Sequence, residues 1–551
     1  MFKNEKVVET KTCEHCNKNF SITEEDLNFY DKISPKIKGE KFHLPLPKLC
    51  PDCRQQRRLS FMNYMSLYKS ICDGCGNNIV SRFNPEGGIN VYCNKCWASD
   101  GNDYLKYGIN IDFNKSIFEQ ISYLIKVTPF QNLSGSLSNI KNNSIYTNHT
   151  ADIHNCYMVF EADFVDDCMY GRGLRKSNNL IDCLNCTASE FCYECVDSNS
   201  LYNCFYTINS TSCNNSYYLK NCHGCSNCIG CVNLTNKSYY IFNKEVSKEE
   251  YKKIEKKISD PKFKDKIIEE FEKLQKKNNT NEKYIINSEN CSYDYIFNSK
   301  NCINSYDITG CEDLRYCTEV NYSTDSMDIN SYGSHSEHMY EGAGVGRYSR
   351  NLYFCAIIGK GEDLFYCIDV KKSKNCFACV NLKEKEYCIL NKQYTKDEYE
   401  ILVPKIINYM IKTGEWGEFF PSLISPFGYN ETIANEYYPI NPPVINDIPL
   451  NKRDNGNGME VGGLFKWSTY EAPLPKVDNI ILASKLPEDI KDIPDDILNW
   501  AIKCSVTNKP FRILKQELDF YRKHNLPIPK KHPDQRHLDR LALRNPRKTL
   551  G

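Results

Sequence analysis

Four Cys-x2-Cys pairs stand in the first hundred residues: Cys13/Cys16, Cys50/Cys53, Cys72/Cys75 and Cys93/Cys96. Two thiolates on one tight turn can hold a metal ion together, and a second pair completes a tetrahedron. Zn²⁺ suits four thiolates because it has no redox chemistry and asks only for four close ligands. The spacing Cys72-x2-Cys75-x17-Cys93-x2-Cys96 falls in the zinc-ribbon range. Val80, Phe83, Val91 and Tyr92, with Pro85-Glu-Gly-Gly at the turn, predict a hairpin between these two pairs. No His or carboxylate stands where an open catalytic position would need it. The expectation is two structural zinc ions, one on Cys13/Cys16/Cys50/Cys53 and one on Cys72/Cys75/Cys93/Cys96.

The remaining cysteines obey a different rule. Cys186, Cys195, Cys204, Cys213, Cys222 and Cys231 recur every nine residues in text rich in Asn, Ser and Tyr, with small residues such as Ser189, Thr207 and Ser216 in a second column. A short fixed period of this kind predicts a β-solenoid, with small side chains in a narrow interior and Asn at the corners. Two nonapeptides per coil would make an 18-residue turn. Cys222-x2-Cys225-x2-Cys228-x2-Cys231 imitates an iron–sulfur motif, but its last spacing is wrong and Val232 replaces the expected Pro, so buried solenoid thiols are the better reading.

Two duplications organise the elements that must position these residues. Cys228-Ile-Gly-Cys231-Val-Asn-Leu, Tyr239-Tyr-Ile-Phe-Asn243-Lys and Lys248-Glu-Glu-Tyr251 return as Cys376-Phe-Ala-Cys379-Val-Asn-Leu, Tyr387-Cys-Ile-Leu-Asn391-Lys and Lys396-Asp-Glu-Tyr399. Each copy reads as a solenoid end, a short strand and an amphipathic helix that covers the last coil. In the second solenoid Gly342-Ala-Gly-Val-Gly interrupts the period and reads as a turn. The other duplication joins the ends of the chain. Phe20 to Lys32 matches Phe511 to Lys523, and Leu44-Pro-Leu-Pro-Lys48 matches Leu526-Pro-Ile-Pro-Lys530. Cys13 becomes Cys504, while Cys16, Cys50 and Cys53 become Thr507, His532 and Gln535. The tail is therefore a copy of the first zinc unit in which only Cys504, with His532 as a further candidate, is left as a ligand. It should fold without metal, compensated by docking on Ile497 and Trp500.

The fold class is accordingly mainly β with α caps, an α+β multidomain chain. Residues 1–130 form a tandem zinc-ribbon module with a trailing helix, and 140–283 a first β-solenoid with its helical cap. Residues 284–412 form a second solenoid and cap, 413–500 a connector rich in Pro (Pro421, Pro426, Pro439, Pro442, Pro443) and aromatics, and 501–551 the degenerate zinc-unit copy. The run Cys13-x2-Cys16…Cys50-Pro-Asp-Cys-Arg54, Ser425-Pro-Phe-Gly-Tyr-Asn-Glu-Thr432, Phe465-Lys-Trp and His532-Pro-Asp-Gln-Arg536…Arg544-Asn-Pro-Arg547 resembles a multi-C-x2-C, cysteine-rich zinc-ribbon family of reduced-genome bacteria. The resemblance covers nearly the whole chain and implies metal and architecture, with no activity.

The 551 residues carry 70 Lys+Arg and 70 Asp+Glu, which excludes a uniformly basic coat for nucleic acid. No run approaches the roughly 18 apolar residues of a membrane span, and the charged start shows no secretory h-region. With 30 cysteines, a cytoplasmic location favours metal ligands and buried thiols over disulfides. Residues 501–551 hold 13 Lys/Arg against four Asp/Glu. Arg536, Arg540, Arg544 and Arg547 there, and Arg54, Arg57 and Arg58 after the second pair, are candidates for RNA, DNA or an acidic protein partner. Docking on the chain's own acidic residues explains the same charges. Asp163, Asp166 and Asp167 crowd one coil, which admits a solenoid hydrolase acting on glycans as the alternative to a non-catalytic zinc-binding scaffold or adaptor.

Overall fold

The computed structural model describes residues 5–99, 101, 103–135, 142–179, 181–193, 195–196, 199–258, 261–278, 283–331, 333–441, 459–461, 464–471, 473, 477 and 479–547. Pro442 and Pro443 of the connector and the last four residues of the tail lie outside these. The chain divides into two compact units, each discontinuous in sequence. One contains Met1–Asn132, Lys283–Tyr470 and Arg547–Gly551, the other Leu133–Glu282 and Glu471–Pro546. Both are mainly β, and each contains one solenoid.

The solenoid coil is shorter than the nine-residue text implies. Tyr202 pairs in parallel with Asn214, Cys204 with Ser216 and Thr207 with Leu219, so one coil takes twelve residues rather than eighteen. The reason is a finer period of three. φ is positive at Ser200, Asn203, Tyr206, Asn209, Ser212, Asn215, Tyr218 and Asn221, one residue in every three. Each side of the tube is thus an inward residue, a ladder residue and a left-handed corner, and four sides close a coil. Asn and Asp are frequent at the corners because they tolerate the left-handed region best after glycine. Their side chains bond from coil to coil, as in Asn143 to Asn155 at 2.9 Å and Asn203 to Asn215 at 2.9 Å.

A tube this narrow determines what can stand inside. The inward amides point into it: Leu201 N–H donates to Ser189 Oγ at 3.2 Å, and Cys228 N–H to Ser216 Oγ at 3.0 Å. Inward thiols donate to carbonyls in turn, Cys195 to Cys204 O at 3.7 Å and Cys213 to Cys222 O at 3.3 Å. Cysteine and serine are small enough to fit and can answer backbone groups that would otherwise be buried without partners. The nine-residue spacing follows: a thiol meets the carbonyl nine residues on, one side short of a full coil.

The second solenoid varies the coil length. Ile285 pairs with Ile296, an eleven-residue step, and Thr324 with Glu337, thirteen, which is why its text looks irregular. Gly342–Val345 is not a turn but the end of a strand, Glu337–Val345, in which Gly342 pairs with Cys355. Glycine is needed there on two counts. A Cβ on Gly342 would lie 2.7 Å from Val345 Cγ2, and Gly344, at φ +63°, would meet Met62 Cε at 2.6 Å.

The duplicated caps close both solenoids in the same way. Asn243 exchanges two bonds with the backbone of Val232 (2.8 and 2.7 Å), and Asn391 does so with Val380 (2.8 and 2.8 Å). Each amide side chain imitates the missing next strand. A hairpin and a helix follow: Lys248–Glu255 in one unit, Lys396–Thr413 in the other. Tyr251 and Tyr399 on these helices are buried against Tyr239 and Tyr387, both at 5.8 Å.

Candidate metal centres

Three places in the chain share one local design. At Cys13 the amide donates to Lys18 O (2.9 Å), Asn17 N–H returns to Cys13 O (3.0 Å), and Asn17 takes φ +58°. Cys72, Asn77 and Gly76 repeat this at 2.9 and 2.8 Å, and Cys504, Lys509 and Asn508 at 3.1 and 3.1 Å. This knuckle directs the next amides at the first sulfur. The second half of each design is a helix N-terminus, with Cys50 capping Pro51–Leu59, Cys93 capping Asn94–Trp97 and His532 capping Pro533–Leu541. Backbone N–H groups at a helix start favour negative charge, here thiolate.

The first two designs bring their four sulfurs together. Cys13, Cys16, Cys50 and Cys53 form one group and Cys72, Cys75, Cys93 and Cys96 another, the ligand atoms of each within 4.8 Å of one another. Pairs one and two share a site, as do pairs three and four, so the arrangement is sequential and not a cross-brace. Cys16 Sγ lies 3.7 Å from Cys50 Sγ, and Cys75 Sγ 3.9 Å from Cys93 Sγ. A tetrahedral ion with metal–sulfur bonds of about 2.3 Å needs edges of about 3.8 Å, so both groups fit one. The second group is reached by a different hairpin from the one expected. Tyr68–Ile71 pairs with Asn78–Ser81 across the knuckle, whereas Val91–Tyr92 pairs in parallel with Phe130–Gln131.

The thiols are tuned unequally. The Cys53 thiol, with the Cys53 amide, holds Cys50 down at about 5, and Cys53 is pushed up in return. Burial opposes ionisation of Cys72, but the amides of Cys93, Gly74 and Cys75 bring it to about 7. The Cys93 amide reaches the Cys72 sulfur at 3.1 Å, as the Cys50 amide reaches Cys13 at 3.3 Å. The tail keeps this amide shell without its ligands. Burial opposes ionisation of Cys504 as well, yet the Thr507 hydroxyl and the amides of Thr507, His532 and Val506 hold it at about 7. His532 accepts from the Asp534 amide at 3.1 Å.

The arginines offered to phosphate face inward, in the docking on the chain's own acidic residues that the sequence also allowed. Arg54 and Arg58 are buried and grip Asp328 from both sides, at 2.9 and 3.1 Å. Arg58 also donates to Glu341 at 2.9 Å, and Arg57 spans Glu341 and Glu418 at 3.3 and 2.9 Å. Burial opposes ionisation of Glu341, and the three guanidiniums overcome it and hold the carboxyl below its usual range. In the other unit Arg536 donates to Asp182 at 2.8 Å and stacks over Tyr170, while Arg540 approaches Asp182 at 3.6 Å. Arg544 is buried. Arg547 is buried between Asp307, Glu319 and the Tyr437 ring. Carboxylates already held inside each unit explain the arginine spacing.

The other candidate groups have partners within the solenoid. Asp163 is bound to Arg175, Asp166 to His154 and Asp167 to Asn155. Cys222, Cys225, Cys228 and Cys231 occupy the four inward positions of one coil, and each donates to solenoid carbonyls. Among the described residues, the two four-cysteine groups are the sets of three or more metal-binding side chains whose ligand atoms all lie within 4.8 Å of one another. Asp182 and Asp328 carry no signal in sequence. Both occupy left-handed corners, at φ +62° and +60°, where Asp is one frequent residue among several. Comparison with the protein-family models finds no match for this chain, and comparison with the curated proteins finds none.

Proposed function

We propose that the protein is a non-catalytic zinc-braced scaffold, an adaptor whose solenoid walls present side-chain ladders to a protein partner. The observation that carries this reading is the closed thiolate geometry. Four cysteines per site leave no position for substrate or water, and four soft donors on knuckle turns suit Zn²⁺. The metal would then hold the module in shape, and the module's arginines lock on a solenoid in the same unit. What remains outward is regular: Arg350 with Glu362 and Lys374 with Glu386 form charged rungs. Tyr322, His335 and Tyr348 stack at 5.1 and 5.2 Å along an exposed corner. Evenly spaced rungs on a stiff tube offer a long surface to a partner.

The test is elemental analysis of the purified chain, followed by capture from native lysate with and without nuclease, using wild type and Tyr322→Ser/Tyr348→Ser. Two zinc ions per chain are expected, with a protein partner that survives nuclease and is lost in the variant. Turnover of a glycan panel, or a partner released by nuclease, would replace this reading.

A further inference from the structure

Among the described residues, the duplicated zinc unit is finished on one side in the tail and left open in its first copy. In the tail, Trp500–Lys503 sits in the middle of a three-stranded sheet. One edge pairs with Pro510–Phe511, Ile502 opposite Phe511 and Lys503 opposite Pro510. The other edge takes Asn479–Leu482 in parallel, Asn479 opposite Trp500 through Leu482 opposite Lys503. The chain then wraps over the copy, burying Ala483, Leu486, Ile490, Ile493 and Ile497 in the cluster that holds Ile502, Ile513 and Leu518.

Position for position, Glu9–Thr12 stands where Trp500–Lys503 stands, because Lys11 pairs with Phe20 and Thr12 with Asn19. Val7–Thr12 belongs to a two-stranded sheet, and among the described residues no strand pairs with its outer edge. Val7 and Val8 are 47% and 50% exposed. Leu27 is only half-buried, whereas the matching Leu518 is 1% exposed. An open edge next to an unfinished apolar cluster is a template for strand addition.

We propose that the outer edge of Val7–Thr12 binds an extended segment of another protein, paired in parallel. That segment would carry the aliphatic pattern of Asn479-Ile-Ile-Leu-Ala-Ser-Lys-Leu486. The occupant is argued from the tail, where this pattern fills the equivalent edge and its last leucine enters the cluster. The inference goes beyond the scaffold reading and does not need it, since it concerns the zinc-unit edge and not the solenoid rungs.

The experiment titrates the metal-loaded full chain with the synthetic peptide of residues 479–486 and follows amide hydrogen exchange. Saturable binding with slowed exchange confined to Glu9–Thr12 is expected. A peptide with Ile480 and Ile481 changed to Asp should bind at least tenfold more weakly, a control that leaves the protein untouched. No saturation at millimolar peptide, protection at Trp500–Lys503 instead, or concentration-dependent dimerisation through Val7–Thr12 would each overturn the proposal.

Discussion

The first four-cysteine unit and its tail copy are the same fold held by different means. Both have the knuckle, the following helix (Glu24–Ile33 or Lys515–Lys523) and a second helix that begins where the second ligand pair stands or stood. Both send two arginines, one helical turn apart, to a corner aspartate of a solenoid: Arg54 and Arg58 to Asp328, Arg536 and Arg540 to Asp182. Only the means of closing the small core differs. The first unit gathers four thiols over Phe20, Ile22 and Leu27, and the tail replaces them with an aliphatic wrap from Ala483 to Ile497. The comparison teaches that docking on a solenoid is the common property, and that a four-thiol group fit for a metal and an aliphatic wrap are alternative ways to close the dock.

Metal removal should separate the copies most strongly. Structural zinc contributes about 10–16 kcal/mol of apparent binding energy to small domains, and the first unit has little else inside. Chelation should abolish exchange protection across Val7–Leu59 and Tyr68–Trp97 and leave Trp500–Leu541 unchanged. Equal loss in the tail would show that it does not stand on its wrap.

The shared aspartates come next. Removing one partner from a buried ion pair costs about 3–5 kcal/mol, because the other charge stays buried. Asp328→Asn leaves Arg58 on Glu341, whereas Asp182→Asn leaves Arg540 with its nearest carboxylate gone and Arg536 with Glu517 at 3.5 Å. Asp182→Asn should therefore lie at the upper end of that range and Asp328→Asn at the lower, read from urea melts followed by exchange in each unit. The reverse order would mean that the metal-held unit is the weaker dock. Ile497→Ala should act on the tail alone, by about 2–5 kcal/mol for a buried isoleucine, with no change in the chelator response of the first unit.

The metal sites were legible because thiol pairs at fixed spacing have few other uses, and the tail was legible because its ligands changed together. Compensation through Ile497 and Trp500 followed from the same argument, and Ile497 is 1% exposed within the tail's cluster. The coil length was not legible. Nine is three sides of the tube, and the closing number, four, depends on left-handed corners that Tyr, Phe and Ser occupy as well as Asn. The partners of the arginines were not legible for a related reason. The i, i+4 spacing of the arginines names a helix face, but the carboxylates that receive them are isolated residues in another repeat, hundreds of positions away.

The smallest expected effect tests why cysteine fills both tubes. Burial pushes the thiols of Cys204 in one unit and Cys317 in the other up to about 12, against about 8.5 for a free thiol. Between those values the folded chain holds protons that the unfolded chain has lost. This contribution to stability is thus complete below about pH 8.5 and is lost as pH rises toward 12. An inward amide stands beside each sulfur, Ser216 at Cys204 and Ile329 at Cys317, and opposes this rise. Cys204→Ser keeps an acceptor for that amide and removes one titrating proton, so neutral stability should hardly change while the alkaline limb becomes shallower by one proton. Cys204→Ala removes the acceptor, and a buried amide left without a partner costs about 1–3 kcal/mol. Cys317→Ser and Cys317→Ala should repeat the difference in the unit that holds the two four-cysteine groups. Denaturant melts at pH 7 and pH 10 measure both quantities. If alanine proves as stable as serine at both sites, the thiols are filler, and the argument from inward amides to a cysteine-lined tube fails in both units at once.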